Sequence, residues 1–228
     1  MSETDKQFRA EGDVDKLVRD TFFPGEESKG VFVDVGAARP DYLSVSASFR
    51  ASGWRVIAVE PNPEFCALYK ERGIDVLQYA CGDHDEDDVE FLVVDSHGSD
   101  YKDGQVTHES FSSLGIKDSY AKLNPNLDTT KIKVKLRKLD TILKEHAPDI
   151  AQFDVLSVDV EGWELEVLEG LSVDRYRPGV MVLENLFNEK KYRDRLKELN
   201  YLFWRRIPPN DVYVRPDLIP GGLARMGL

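Results

Sequence analysis

Four carboxylates in this sequence stand at the ends of apolar runs: Asp34 in VFVDVG, Glu60 in WRVIAVE, Asp159 in FDVLSVDVEG and Glu184 in VMVLEN. The runs lack polar alternation, the pattern of parallel strands covered on both faces, so the acids fall at strand carboxyl ends. In an open α/β sheet those ends share one rim, where nucleotide-like ligands sit. One such acid is weak evidence, because Asp and Glu also cap helix N-termini. Four on one rim are harder to assign to capping. A carboxylate there can accept bonds from a ribose, hold a cation or take a proton from a hydroxyl.

The spacing of the first two acids narrows the ligand. The second run begins about twenty residues after the first ends, and Leu43 to Arg50 can form a helix between them, which makes a βαβ unit. In such a unit Glu60 is placed to accept hydrogen bonds from both hydroxyls of an adenosine ribose. The turn after Asp34 reads Gly36, Ala37, Ala38, Arg39, Pro40, without the later glycines of a dinucleotide fingerprint. A pyrophosphate needs close backbone N–H groups, and Pro40 has none to offer. S-adenosylmethionine, which has no phosphates, fits these residues better than a nicotinamide or flavin. Pro61-Asn62-Pro63 ends the second strand and opens a helix, which places Pro61 and Asn62 at the crevice. Ala80 and Cys81 follow a third predicted strand, Ile74 to Tyr79, at the height of an adenine ring. Asp34, Gly36, Ala37, Glu60, Pro61, Asn62, Ala80 and Cys81 are therefore the expected cofactor-binding residues.

The third run ends in Asp159-Val160-Glu161-Gly162-Trp163-Glu164. Methyl transfer from a sulfonium to a hydroxyl requires alignment and removal of the hydroxyl proton, a task for Asp159 or Glu161. Asp159 with Glu184 and Asn185 also forms an oxygen-rich set for Mg2+ or another divalent cation, similar to the arrangement in catechol O-methyltransferase. The competing reading leaves Asp159 alone as base, with Glu184 and Asn185 capping a turn.

The elements that must position these groups follow from periodicity. Val14, Leu17, Val18 and Phe22 fall at helical spacing, so residues 1–29 read as an N-terminal helical extension to a single domain over 30–228. Helices are expected over Pro63–Arg72, Leu139–His146, Glu164–Leu171 and Lys190–Leu199. Lys131 to Arg137, KIKVKLR, alternates with period two and is expected as an edge strand. Tyr201–Ile207 and Asp211–Arg215 form a terminal hairpin. Asp95 to Asp128 has no periodicity, and its length marks it as a cover over the site, with His108 a base to test.

Composition limits the partners. The 228 residues carry 42 acidic and 30 basic side chains, a formal net charge of −12, which disfavours nucleic acid and anionic membranes and favours a small-molecule or glycan acceptor. The two cysteines, Cys66 and Cys81, have no disulfide or zinc spacing, and both are expected reduced. No leader-like or membrane-spanning run is visible, and a cytoplasmic protein is expected.

The runs FVDVGAARP, GWRVIAVEPNPEF, SVDVEGWELEVLEGL and RPGVMVLEN resemble, in order and spacing, the FkbM-type S-adenosylmethionine-dependent methyltransferases over Gly30 to Asn185. The resemblance implies a class I methyltransferase Rossmann-like α/β fold: a mostly parallel seven-stranded sheet, helices on both faces and a C-terminal antiparallel hairpin. It implies O-methylation of a hydroxyl on a sugar, glycan, polyketide or lipid, with Asp34, Gly36 and Glu60 at the cofactor and Asp159 and Glu161 at the methyl end. Arg39-Pro40 departs from the pattern where many members carry a second glycine. A catalytically silent binding protein and an NAD-dependent oxidoreductase are the alternatives.

Overall fold

The computed structural model describes residues 8, 10–94, 113–115 and 129–219. Its strands are β1 (Val31–Val35), β2 (Arg55–Val59), β3 (Ala80–Cys81), β4 (Glu86–Val94), β5 (Thr129–Arg137), β6 (Val155–Val158), β7 (Val180–Glu184), β8 (Leu202–Ile207) and β9 (Asn210–Val214). The helices are α1 (Val14–Phe22), α2 (Ala47–Ala51), α3 (Pro63–Glu71), α4 (Leu139–His146), α5 (Glu164–Glu169), α6 (Val173–Tyr176) and α7 (Lys190–Glu198). No described helix is long and apolar enough to cross a membrane.

The main sheet runs β2-β1-β6-β7-β9-β8. Its first four strands are mutually parallel, and β9 is antiparallel to both β7 and β8. The register sets Asp34 opposite Ala58 on one side and Ser157 on the other. Because side chains alternate along a strand, Val33 and Val35 face one way while Phe32 and Asp34 face the other. Val33, Val35, Leu156, Val158, Met181 and Leu183 pack against α4 to α7 through Leu143, Leu168, Tyr176 and Leu196. Phe32, Val155, Val180, Val182 and Val212 pack against α1 and α2 through Val14, Val18 and Phe49. Each fully buried aliphatic or aromatic side chain contributes about 1.5–3 kcal/mol, so both faces are needed.

Two expectations are corrected. The main sheet has six strands among the described residues, not seven, because Ile74 to Tyr79 supplies a single bridge, Leu77 to Val59. Leu77 N–H donates to Ala58 (2.8 Å) and Leu77 C=O accepts from Glu60 (3.0 Å), but the chain then leaves the edge so that Ala80 and Cys81 pair with Leu136 and Arg137. The alternating KIKVKLR segment does present a wet face of lysines, yet β5 is central rather than an edge. It lies between β3 and β4 in a second, three-stranded sheet. Val134 and Leu136 close that sheet's small core with Ala80 and Phe91. The predicted helix over Leu43–Arg50 shrinks to Ala47–Ala51, since Leu43 adopts a left-handed φ of 52° and bridges Ala10 instead.

Gly170, just past α5, lets the chain leaving β3 of the second sheet approach that helix end: a Cβ there would stand 2.0 Å from the Gly82 carbonyl oxygen. Gly170→Ala is therefore expected to lower the free energy of unfolding in urea by about 1–3 kcal/mol, the cost of overpacking. Unchanged stability would mean that the end of α5 and the chain after β3 are not held this close.

Candidate functional site

At the end of β1 the backbone turns over the neighbouring strand. Gly36 has φ of 77°, and a Cβ on it would meet the Asp159 carbonyl oxygen at 1.7 Å. The N–H groups of Gly36 and Ala37 both donate to Val59 C=O, at 3.0 and 3.1 Å, and Asp159 N–H donates to Val35 C=O at 3.0 Å. Three strand ends are thus tied together at this point.

Glu60 ties the adjoining loops. Its Oε2 accepts from Ala38 N–H (2.8 Å) and its Oε1 from Asn62 N–H (2.7 Å). Burial pushes this carboxyl up to about 7, with the charge of Asp34 adding and the two backbone bonds opposing. Asn62 caps α3, its Oδ1 accepting from Glu64 N–H at 3.0 Å. The Cys66 thiol donates to Glu60 C=O at 3.2 Å, and Tyr69 Oη donates to Ala37 C=O at 3.1 Å.

Two cavities open on either side of the Gly36–Asp159 contact. The first holds about 610 Å³ of space, counting its mouth, and is lined by Gly36, Ala38, Glu60, Pro61, Phe65, Tyr79, Ala80, Cys81, Leu114, Asp159, Glu161 and Trp163, among others. The second holds about 1380 Å³ on the same measure. Its walls include Asp34, Ala37, Arg39, Tyr42, Ser157, Asp159, Glu161, Glu184, Arg206 and Asn210. Gly36, Ala38, Asp159 and Glu161 line both.

The turn after β6 presents two of these shared groups. Glu161 and Gly162 take left-handed φ values of 57° and 95°. Glu164, fully buried, holds them there: its Oε1 accepts from Val160 N–H (3.1 Å) and Gly162 N–H (2.9 Å), and its Oε2 accepts from Tyr192 Oη on α7. Burial, then the charges of Glu184 and Asp159, raise the Glu161 carboxyl well above its ordinary range. Enclosure deep in the crevice, then Glu164 and Asp34, raise Asp159, although its side chain still meets the water of the cavity. Asp34 is raised by burial, while hydrogen bonds from the Ser46 and Ser157 hydroxyls and the charge of Arg50 oppose the rise. Asp34 Oδ2 and Glu161 Oε2 are buried with no hydrogen-bond partner among the described residues.

Of the expected cofactor residues, Gly36, Glu60, Pro61, Ala80 and Cys81 gather at the first cavity, whereas Asp34 and Ala37 line the second. Asn62 lines neither, because its side chain serves the helix cap. Asn185, of the expected cation set, has its amide engaged by neighbouring elements. Its Oδ1 accepts from Glu189 N–H (2.8 Å) and its Nδ2 donates to Asp211 Oδ2 (2.8 Å), so the amide belongs to a network between β7, β9 and the start of α7. Glu161 takes the place beside Asp159 and Glu184: one carboxylate oxygen from each lies within 4.8 Å of the others.

Sequence reading missed the aromatic walls, Phe65, Tyr79 and Trp163. Trp163 stood inside the acid-rich motif and could have been singled out; its Nε1 donates to Gly115 C=O at 3.1 Å. Of the expected cover only residues 113–115 are described, with Ser113 paired to Leu92. His97 and His108 lie outside the described residues. Cys66 and Cys81 are free thiols, the former half-buried.

The family model of the methyltransferase FkbM domain matches residues 34–203. The chain belongs to the FkbM methyltransferase family. A 52-residue stretch of this FkbM-family chain is 40% identical to methyltransferase sdnD of Sordaria araneosa, a match spanning 20% of this chain and 20% of that protein. The crystal structure of methyltransferase FkbM from Methylobacillus flagellatus KT aligns with a TM-score of 0.49 and 14% identity, over 93% of this chain and 50% of that one. The chain thus spans half or less of the length of these relatives.

Glu60 yields a pH test of the ligand-free FkbM-family protein. With its carboxyl raised from 4.5 to about 7, its contribution to stability is complete below its unfolded value and is lost as pH rises through the folded one. Denaturant titrations from pH 5 to 8 should show the wild type losing up to about 3 kcal/mol relative to Glu60→Gln. A difference that is constant, or that moves in favour of the wild type, would contradict this assignment.

Proposed function

We propose that the chain is an S-adenosylmethionine-dependent O-methyltransferase acting on a hydroxyl of a sugar, glycan, polyketide or lipid. The observation that carries the reading is the buried Glu60 carboxylate, fixed by the Ala38 and Asn62 N–H groups at a cavity bordered by the small residues Gly36, Ala80 and Cys81. Each carboxylate oxygen has about two lone-pair sites. One on each remains for a ribose hydroxyl, which suits adenosine and gives a pyrophosphate no role. The unpartnered Asp34 Oδ2 in the second cavity suits the ammonium of the methionyl part, and Gly36 borders both spaces.

The cofactor supplies a methyl group on a positively charged sulfur. The remaining work falls to the chain's own side chains. Glu60 and the Ala80-Cys81 wall orient the adenosine end, and Trp163, Tyr79 and Phe65 exclude water from it. The second cavity receives the acceptor. Asp159, which borders both cavities and is reached by cavity water, takes the hydroxyl proton, with Glu161 beside it. The raised carboxyls match this role, because a base that holds its proton more firmly is a stronger acceptor. A cytoplasmic setting belongs to the same proposal, supported by the two free thiols.

Equilibrium binding tests the reading directly. S-adenosylmethionine should bind by calorimetry, and Glu60→Ala should weaken it by about 1.5–3 kcal/mol, the worth of hydrogen bonds to a charged acceptor. Glu60→Gln should be milder, since one acceptor oxygen survives. Unchanged affinity in Glu60→Ala would remove the ribose assignment. Retention of a nicotinamide cofactor in place of S-adenosylmethionine would overturn the function, and cofactor binding without labelled methyl transfer to any hydroxylated acceptor would favour the silent binding protein.

A further inference from the structure

The geometry points to a divalent cation held by one oxygen each of Asp159, Glu161 and Glu184, where the second cavity meets the end of β7. These oxygens lie within 4.8 Å of one another, and all three residues line the second cavity. Proximity of acids alone would not make a site. A further observation does: Glu161 Oε2 is buried without a hydrogen-bond partner among the described residues. Glu161 is only 5% exposed and lines the same space as the other two acids. Burying a carboxylate oxygen without a donor is costly, and a polar cavity that keeps such an oxygen beside two further carboxylates is built for something positive.

Strain supports the same conclusion. Glu161 is held in the left-handed region, φ 57°, where a residue other than glycine is strained. Glu164 and Tyr192 enforce that conformation from behind. A purely structural turn could use a glycine at this position. Glu161 instead brings a third carboxylate to a point already occupied by two.

The donor set selects the ion. With oxygen donors alone the site suits a hard cation and not zinc or copper. Opposite ligands stand about 4.2 Å apart around Mg2+ and about 5 Å apart around Ca2+, and oxygens within 4.8 Å of one another fall in the range that one such ion can bridge. Ion binding itself is independent of the methyl-transfer reading. Only its use rests on that reading: an acceptor hydroxyl bound to the cation would become more acidic and pass its proton to the second oxygen of Asp159.

The test is calorimetric titration of Ca2+, Mn2+ and Mg2+ into the chelator-treated full chain without cofactor, with bound Mn2+ followed by electron paramagnetic resonance. One saturable site is expected, weakened at least about tenfold, the loss seen on disturbing even the outer partners of a metal, in Glu161→Gln and Glu184→Gln. Asp159→Asn alters a cavity-exposed side chain and is a variant unlike the buried two, whose melting temperatures must be checked. Glu90→Gln, on the outer face of β4, controls for ions drawn to the acidic surface and should bind as the wild type does. Absence of a saturable site would overturn the proposal, as would equal affinity in all variants. S-adenosylmethionine titrated into the same samples separates the two readings: cofactor binding without ion binding sinks only the cation, and the converse sinks only the cofactor assignment.

Discussion

The carboxyl ends of β1 and β6 approach so closely that a hydrogen atom is the largest group Gly36 can carry toward Asp159. The carbonyl of Asp159 occupies the place a Cβ would take, at 1.7 Å. The position demands glycine twice, through this contact and through the left-handed φ of 77°. Its consequence is a shared wall. Because the strand ends touch there, the crevice divides into a smaller space beside Glu60 and a larger space beside Asp34, with Asp159 and Glu161 bordering both.

Around that contact the chain accumulates buried acids, and each is managed by a different local device. Glu60 is held by two backbone N–H groups, Asp34 by two serine hydroxyls, and Glu164 by two N–H groups and a tyrosine. Asp211 at the end of the neighbouring strand takes Arg206, Asn185 and Tyr213. Desolvation disfavours the ionised forms of Glu60, Asp34 and Glu164, and the hydrogen bonds recover part of the loss. Two oxygens, on Asp34 and Glu161, are left without a partner among the described residues. A fold selected for stability alone would have little reason to keep them.

Much of this was legible before any coordinates. Buried parallel strands announce themselves as unbroken apolar runs, and the acids that end them locate one rim. Even the face of Asp34 follows from the alternation of VFVDV, which pairs it with Phe32 rather than Val33. Other features depend on partners distant in sequence. Asn185 looked like a cation ligand because nothing local reveals that Asp211, on another strand, receives its amide. KIKVKLR shows its wet face plainly, yet whether such a strand is an edge depends on Ala80-Cys81 leaving the main sheet to pair with it. The same departure removes the expected seventh strand after a single bridge at Leu77. The aromatic walls come from three separate segments, Phe65 and Trp163 inside the runs that carry the family resemblance and Tyr79 outside them.

The central claim is that adenosine lies on the Glu60 side of the Gly36–Asp159 contact and the reacting sulfur lies at the contact itself. A crystal structure of the chain with S-adenosylhomocysteine tests it most directly. The account requires both ribose hydroxyls on the Glu60 carboxylate, the adenine against Ala80 and Cys81, and the sulfur between Gly36 and Asp159. A ligand whose ribose sits in the second cavity, or one that leaves Glu60 untouched, would contradict it.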